Sequence, residues 1–217
     1  MGRKKVYGEQ FGWRTWGIGR HIPTQQPMLR GQFGQLWPEP EMEARHVPTY
    51  GNQASPPHSN KDVPVKECTC GIWVQKLEID TLRWTYSASI NVSGFVKIWG
   101  KGLEGAMGYR VRHARIVGPL TIDMKCSMWG PPSLDDDKVL AKKCAEDVVR
   151  IHDENGSYIC FCQAHIPSNY PMVTSFYDGT TGDRKVFTVN EWAERIVPLF
   201  QERYGCEFLM WNLLLED

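Results

Sequence analysis

The residues best suited to chemistry by type and spacing are His46, His58, Cys68 and Cys70. Zinc takes thiolate and imidazole ligands in a tetrahedron, and this stretch supplies two of each. Cys68-Thr69-Cys70-Gly71 reads as a tight knuckle in which Gly71 lets the backbone turn beneath the sulfurs, with one residue between the cysteines where zinc fingers usually have about two to four. Four protein ligands make a closed, structural site. The plain alternative is a pair of buried thiols with two loop histidines. A hydrolytic site would need an open fourth position on the metal, with Glu67 or Glu78 as its base. No neighbouring Cys, His and acid arrangement marks a cysteine nucleophile.

Two further groups are chemically suggestive. In Cys160-Phe161-Cys162-Gln163-Ala164-His165, strand alternation puts both cysteines on one face, where they read as small core residues, with metal or redox work as the other reading. Cys126, Cys144 and Cys206 read as core. The stretch 97–115 gathers Lys97, Lys101, Arg110, Arg112, His113 and Arg115 against one acid, Glu104, and interleaves Trp99 and Tyr109. Cations that pair with phosphate and rings that stack on bases make Lys97, Trp99, Lys101, Tyr109, Arg110 and Arg112 a candidate nucleic-acid surface. A solvated β face accounts for the same residues. The glycines around Lys101 lack the full phosphate-loop pattern and a following helix, so no phosphate cradle is expected there.

The elements that position these groups fall into three zones of one expected domain, 1–70, 71–129 and 130–217. Aromatic residues and glycines from Val6 to Ile18 predict a bent strand or hairpin. From His21 to Pro64 the chain holds more than half of its fourteen prolines and little periodicity, which predicts a long irregular segment. A stretch of that length inside a compact domain needs an anchor, and a zinc ion would be one. Ser87–Ile98, a glycine-rich turn over 100–105, Gly108–Val117 and Leu120–Met124 predict a meander or small barrel. Ser133 predicts a helix N-cap, Leu140, Cys144, Val148 and Ile151 predict its apolar stripe, and Asn155-Gly156 predicts its end. Ser157–Ala164 predicts a buried strand. Thr188-Val189-Asn190-Glu191 predicts a capping box for a second helix lined by Trp192, Ile196, Leu199 and Phe200, kinked or shortened at Pro198 and closed by Gly205. A last strand is expected over 207–211, before the apolar Leu213-Leu214-Leu215. The expected class is α+β: a small antiparallel β-meander or barrel, two amphipathic helices and an N-terminal irregular segment pinned by zinc.

Composition narrows the function. Twenty-five basic and twenty-five acidic residues balance, so no global field draws the chain to nucleic acid or anionic lipid. With 41% apolar and 23% charged residues, the composition is that of a folded chain. Seven cysteines, four of them in Cys-x-Cys pairs, suit intracellular thiol or metal chemistry better than a disulfide framework. No apolar run approaches the roughly 18 residues of a spanning helix, and no hydrophobic segment follows the basic start. A soluble, cytoplasmic protein with no membrane partner is expected.

Trp37-Pro38, His46, His58, Cys68-Thr69-Cys70-Gly71-Ile72-Trp73, Gly94-Phe95-Val96-Lys97-Ile98-Trp99-Gly100 and Gly108-Tyr109-Arg110 stand in an order that resembles a group of uncharacterised proteins from actinobacteria and their phages. The resemblance spans roughly residues 30–118. It implies a metal site in which cysteine often stands where His46 stands here, and it implies no activity. The expected function is a zinc-stabilised binding module, phage-encoded or accessory, that engages a host macromolecule, foremost a protein. Nine tryptophans favour such an interface. Nucleic-acid binding through 97–115 is the alternative, and a zinc-dependent hydrolase is the second alternative, with enzymatic activity the less expected outcome.

Overall fold

In the computed structural model the described residues are 4–6, 8–21, 26–31, 35–46, 59–66, 68, 70–78, 90–127, 144, 146–154, 157–165 and 185–210. In chain order the strands are β1 (Lys4–Val6), β2 (Gln10–His21), β3 (Gln26–Arg30), β4 (Leu36–Trp37), β5 (Glu41–Glu43), β6 (Ile72–Gln75), β7 (Ile90–Glu104) and β8 (Gly108–Met124). They are followed by β9 (Arg150–Glu154), β10 (Ser157–Phe161), β11 (Lys185–Thr188), the helix α1 (Val189–Tyr204) and β12 (Phe208–Met210). Among the described residues the chain is mainly antiparallel sheet with one helix, a mixed α and β architecture.

The spine is the pair β7–β8, whose inward residues Val92, Val96, Ile98, Ala114, Ile116 and Ile122 are almost fully buried. Alternation explains the pairing: on β7, Ser93, Phe95, Lys97 and Trp99 take the opposite, half-buried face. β2 pairs with β7 from Gln10 opposite Ile98 to Gly17 opposite Asn91. β6 pairs with β8, and one bridge, Trp13 opposite Gln75, joins β6 to β2. The pairings β2–β7, β7–β8, β8–β6 and β6–β2 therefore close a ring. Two glycines permit the closure. A Cβ at Gly108 would lie 2.2 Å from the Val74 carbonyl oxygen, and one at Gly12 would lie 2.5 Å from that of Gln75.

The free edge of β8 is covered in succession by β6, β5 and, in parallel, β12. A smaller sheet of order β10-β9-β11 stands beside the large one, and one continuous apolar core includes Val92 and Ile122 of the large sheet with Ile151, Tyr158 and Cys160 of the small one. The helix spans this core. Trp192 meets Tyr158 edge-on at 5.6 Å, and Tyr204, about three turns on, accepts from Leu29 N–H at 2.9 Å and donates to the Trp37 carbonyl at 2.6 Å.

The capping box at Thr188 and the left-handed Gly205 are as expected from sequence, and the last strand is β12. Several expectations are corrected. The segment 21–64 is not uniformly irregular: it carries β3, β4, β5 and a 3-10 turn at Asn60–Asp62, because Pro38 and Pro40 flank the short strands without interrupting them. Residues 100–104 continue β7 through a bulge between Trp99 and Gly102, with Gly100 at φ 79°. Leu120–Met124 is the end of β8, since Pro119 falls in the register shift between Gly94 and Val96, where no ladder bond is lost. The expected helix after Ser133 lies outside the described residues over 133–143, and its C-terminal part is the strand β9. Asn155-Gly156, the expected helix end, lies outside the described residues, and the chain on either side of it is paired strand, Glu154 opposite Ser157. Pro198 is accommodated inside a 16-residue helix, and Leu199 is exposed, its place on the buried face taken by Tyr204.

Candidate metal centre

Cys68 and Cys70 stand just before β6, and His46 stands just after β5. Both strands border β8, so one strand positions both halves of the site. Ala44 N–H donates to the Arg112 carbonyl at 2.7 Å and carries the chain from β5 toward His46. The knuckle turns at Gly71, whose φ is 111° and where a Cβ would meet the Arg110 side chain at 2.8 Å.

The ligand atoms of His46, Cys68 and Cys70 all lie within 4.8 Å of one another. His46 Nδ1 is 3.5 Å from Cys68 Sγ. Metal bonds of about 2.0–2.1 Å to nitrogen and about 2.3 Å to sulfur, set at a tetrahedral angle, separate such atoms by about 3.6 Å. Cys70 N–H donates to Cys68 Sγ at 3.3 Å, and Cys68 N–H donates to the Val65 carbonyl at 3.2 Å, so the loop folds its amides around the sulfur. Burial raises the Cys70 thiol above its ordinary value. A coordinated cation reverses that preference, because a metal-bound thiol is deprotonated. His58, the fourth expected ligand, lies outside the described residues, as does Glu67; Glu78 is exposed.

Three cations from the 97–115 stretch hold this segment in place. Arg110 is 3% exposed, lies over the Trp73 ring at 5.4 Å and donates to the Val65 carbonyl at 2.6 Å and to that of Lys66 at 3.4 Å. Arg112 donates to the Lys61 carbonyl at 3.2 Å, and Lys101 donates to that of Asp62 at 2.6 Å. Arg112 also grips Glu43 Oε1 through two nitrogens, at 2.9 and 2.6 Å, and this hydrogen bonding lowers the Glu43 carboxyl below its usual value. Of the expected nucleic-acid residues, Arg110 thus points into the segment that carries the cysteines. Lys76 lies over the Tyr109 ring at 5.3 Å.

Lys97 and Trp99 occupy the outer face of the β2–β7–β8 sheet. Trp99 stacks on His113 at 5.5 Å, and Lys97 pairs with Glu9 at 2.6 Å. The same face carries Phe11, half exposed and stacked on Phe95 at 5.6 Å, with Trp13 tilted against Phe95 at 5.2 Å. Cys160 lies in the main core as expected, and burial pushes its thiol up; burial also pushes Cys206 up to about 11. Cys162 is separate from Cys160: it joins Cys126 and Cys144 in a second group of close sulfurs. No local signal marks that trio, since its members are far apart in sequence. Among the described residues no helix is long and apolar enough to cross a membrane.

No family model, curated protein or solved structure matches the chain.

Proposed function

We infer that the chain is a binding module whose N-terminal half is pinned by a structural zinc ion, with His46, Cys68 and Cys70 as ligands and His58 as the fourth. The observation that carries this reading is the approach of one imidazole and two thiols to within 4.8 Å at a glycine knuckle. The chemistry of the set supports it: two soft sulfurs and an imidazole suit zinc better than a hard cation. The binding surface is the outer sheet face of Phe11, Trp13, Phe95 and Val117, because Phe11 and Val117 remain 50% and 43% exposed although both are apolar. Its partner is a protein, and the resemblance to phage proteins points to one of the host.

The test is metal content and melting of the wild type and of the Cys68→Ser, Cys70→Ser chain. Zinc bound in the wild type and lost with thermal stability in the variant supports the reading. Equal metal content in both chains sinks it.

A second reading is favoured by one observation, the Trp99–His113 stack beside Lys97 and Arg115 on the same face. On this reading the face binds single-stranded nucleic acid by stacking and phosphate pairing. Affinity for a single-stranded oligonucleotide should then fall with salt, and Lys97→Ala with Arg115→Ala should flatten that dependence by about one unit of slope per cation. Binding indifferent to both changes removes the reading.

A further inference from the structure

The second group of sulfurs is assembled by three chain segments. Cys126 follows the end of β8, Cys162 follows the end of β10, and Cys144 precedes β9. Ser127 N–H donates to the Cys160 carbonyl at 2.7 Å, and Cys160 N–H donates to Ser127 Oγ at 2.8 Å, which lock the two strand ends together. Val149 N–H donates to the Phe161 carbonyl at 2.9 Å and brings the approach to β9 alongside. The three sulfurs lie within 4.8 Å of one another, with Cys144 Sγ 3.8 Å from Cys162 Sγ.

All three side chains are buried, at 1%, 8% and 1% exposure in chain order, and among the described residues they form a cluster with no other apolar member. Apolar burial alone explains such a cluster poorly, since a thiol offers less apolar area than leucine or isoleucine in the same space. We propose that Cys126, Cys144 and Cys162 hold a second zinc ion as a three-thiolate structural site. Two thiolates on tetrahedral zinc stand about 3.8 Å apart, given zinc–sulfur bonds of about 2.3 Å. A disulfide would close that distance to about 2.05 Å. An iron–sulfur cluster spreads its cysteines over more than one iron, whereas three mutually close sulfurs share one ion.

Binding displaces three thiol protons to solvent. Structural zinc is four-coordinate, so three thiolates leave one position on the ion for a further ligand. The ion ties the end of β8 in the large sheet to the end of β10 in the small one, and closes the chain that leaves at Cys126 and returns at Cys144. This site is independent of the one at Cys68 and Cys70.

The test is zinc stoichiometry by native mass spectrometry on the full chain supplied with zinc, as wild type, Cys144→Ser, Cys144→His, and Cys68→Ser with Cys70→Ser. Two ions in the wild type, one in Cys144→Ser and two in Cys144→His are expected. One ion in the wild type that is lost in Cys144→Ser but kept in the Cys68, Cys70 variant upholds this site and removes the other. A wild-type count retained in Cys144→Ser overturns the proposal, as does a disulfide joining any two of the three cysteines in the freshly purified chain. Should Cys144→Ser fail to fold, the cobalt-substituted wild type decides: sulfur-to-cobalt charge-transfer intensity for five thiolates, or three if the first site is empty, upholds the site, and intensity for two overturns it.

Discussion

Arg110 is a buried anchor of the segment that carries Cys68 and Cys70. Its guanidinium is buried and donates to two consecutive carbonyls of the loop before Cys68, so removing it takes a charged donor from both, the Val65 carbonyl keeping only the longer bond from Cys68 N–H among those described. Arg110→Met is expected to cost about 1–3 kcal/mol, read as a lowered urea midpoint. Arg110→Lys should recover only part of this, because both bonds come from one nitrogen, which an ammonium can imitate, whereas the planar guanidinium over the Trp73 ring is lost. An unchanged midpoint in Arg110→Met would contradict the assignment. The cysteine knuckle was legible in the sequence because its information is local: two thiols, one intervening residue and a glycine. The role of Arg110 was not, since its partner Val65 is 45 residues away and its neighbours Lys101 and Arg112 make the whole stretch resemble a phosphate-binding surface. Charge composition alone does not say whether a cation faces solvent or a carbonyl.

At the scale of elements, the best-specified unit is α1. Thr188 accepts from Glu191 N–H at 3.2 Å, and Glu191 accepts from Thr188 N–H at 2.7 Å. Thr188→Ala is expected to lower stability by about 1 kcal/mol in thermal or urea unfolding, and no change would contradict the cap's role. The backbone hydrogen bond from Thr188 holds the Glu191 carboxyl below the usual 4.5. Its folded value is thus lower than its unfolded one, so this contribution is complete above pH 4.5 and is lost as pH falls through the folded value. Glu191→Gln should flatten the acid limb of the stability curve, and identical slopes in the two chains would break that link. The cap, the closing glycine and the apolar stripe were legible because each follows from spacing within one helix. The strand expected from Ser157 is β10, but β9 differs from the expected helix because apolar spacing before Asn155-Gly156 fits a helical stripe, while Ile151 and Asp153 are buried on alternate strand positions about His152. The dipeptide serves equally as a helix stop and as a hairpin turn, and only the pairing of Glu154 with Ser157 separates them.

For the whole molecule, the decisive feature is closure of the strands β2, β7, β8 and β6, since it brings β6 and its preceding cysteines against the strand that carries Arg110 and Arg112. Composition and alternation gave the antiparallel sheet, but not the closure, which rests on two glycines far apart in sequence. Gly108→Ala would force a Cβ into the Val74 carbonyl oxygen and is expected to cost about 1–3 kcal/mol and to weaken zinc retention at the same time. A loss of stability with metal affinity intact would separate the two. The most direct measurement is amide hydrogen exchange, read by mass spectrometry on the full chain with zinc and after its removal by a chelator. Residues 62–74, which hold the knuckle amides and the carbonyls gripped by Arg110, should lose protection when zinc leaves, while the centre of β7 and β8 keeps it. Equal protection of 62–74 with and without the metal would contradict a zinc-pinned segment.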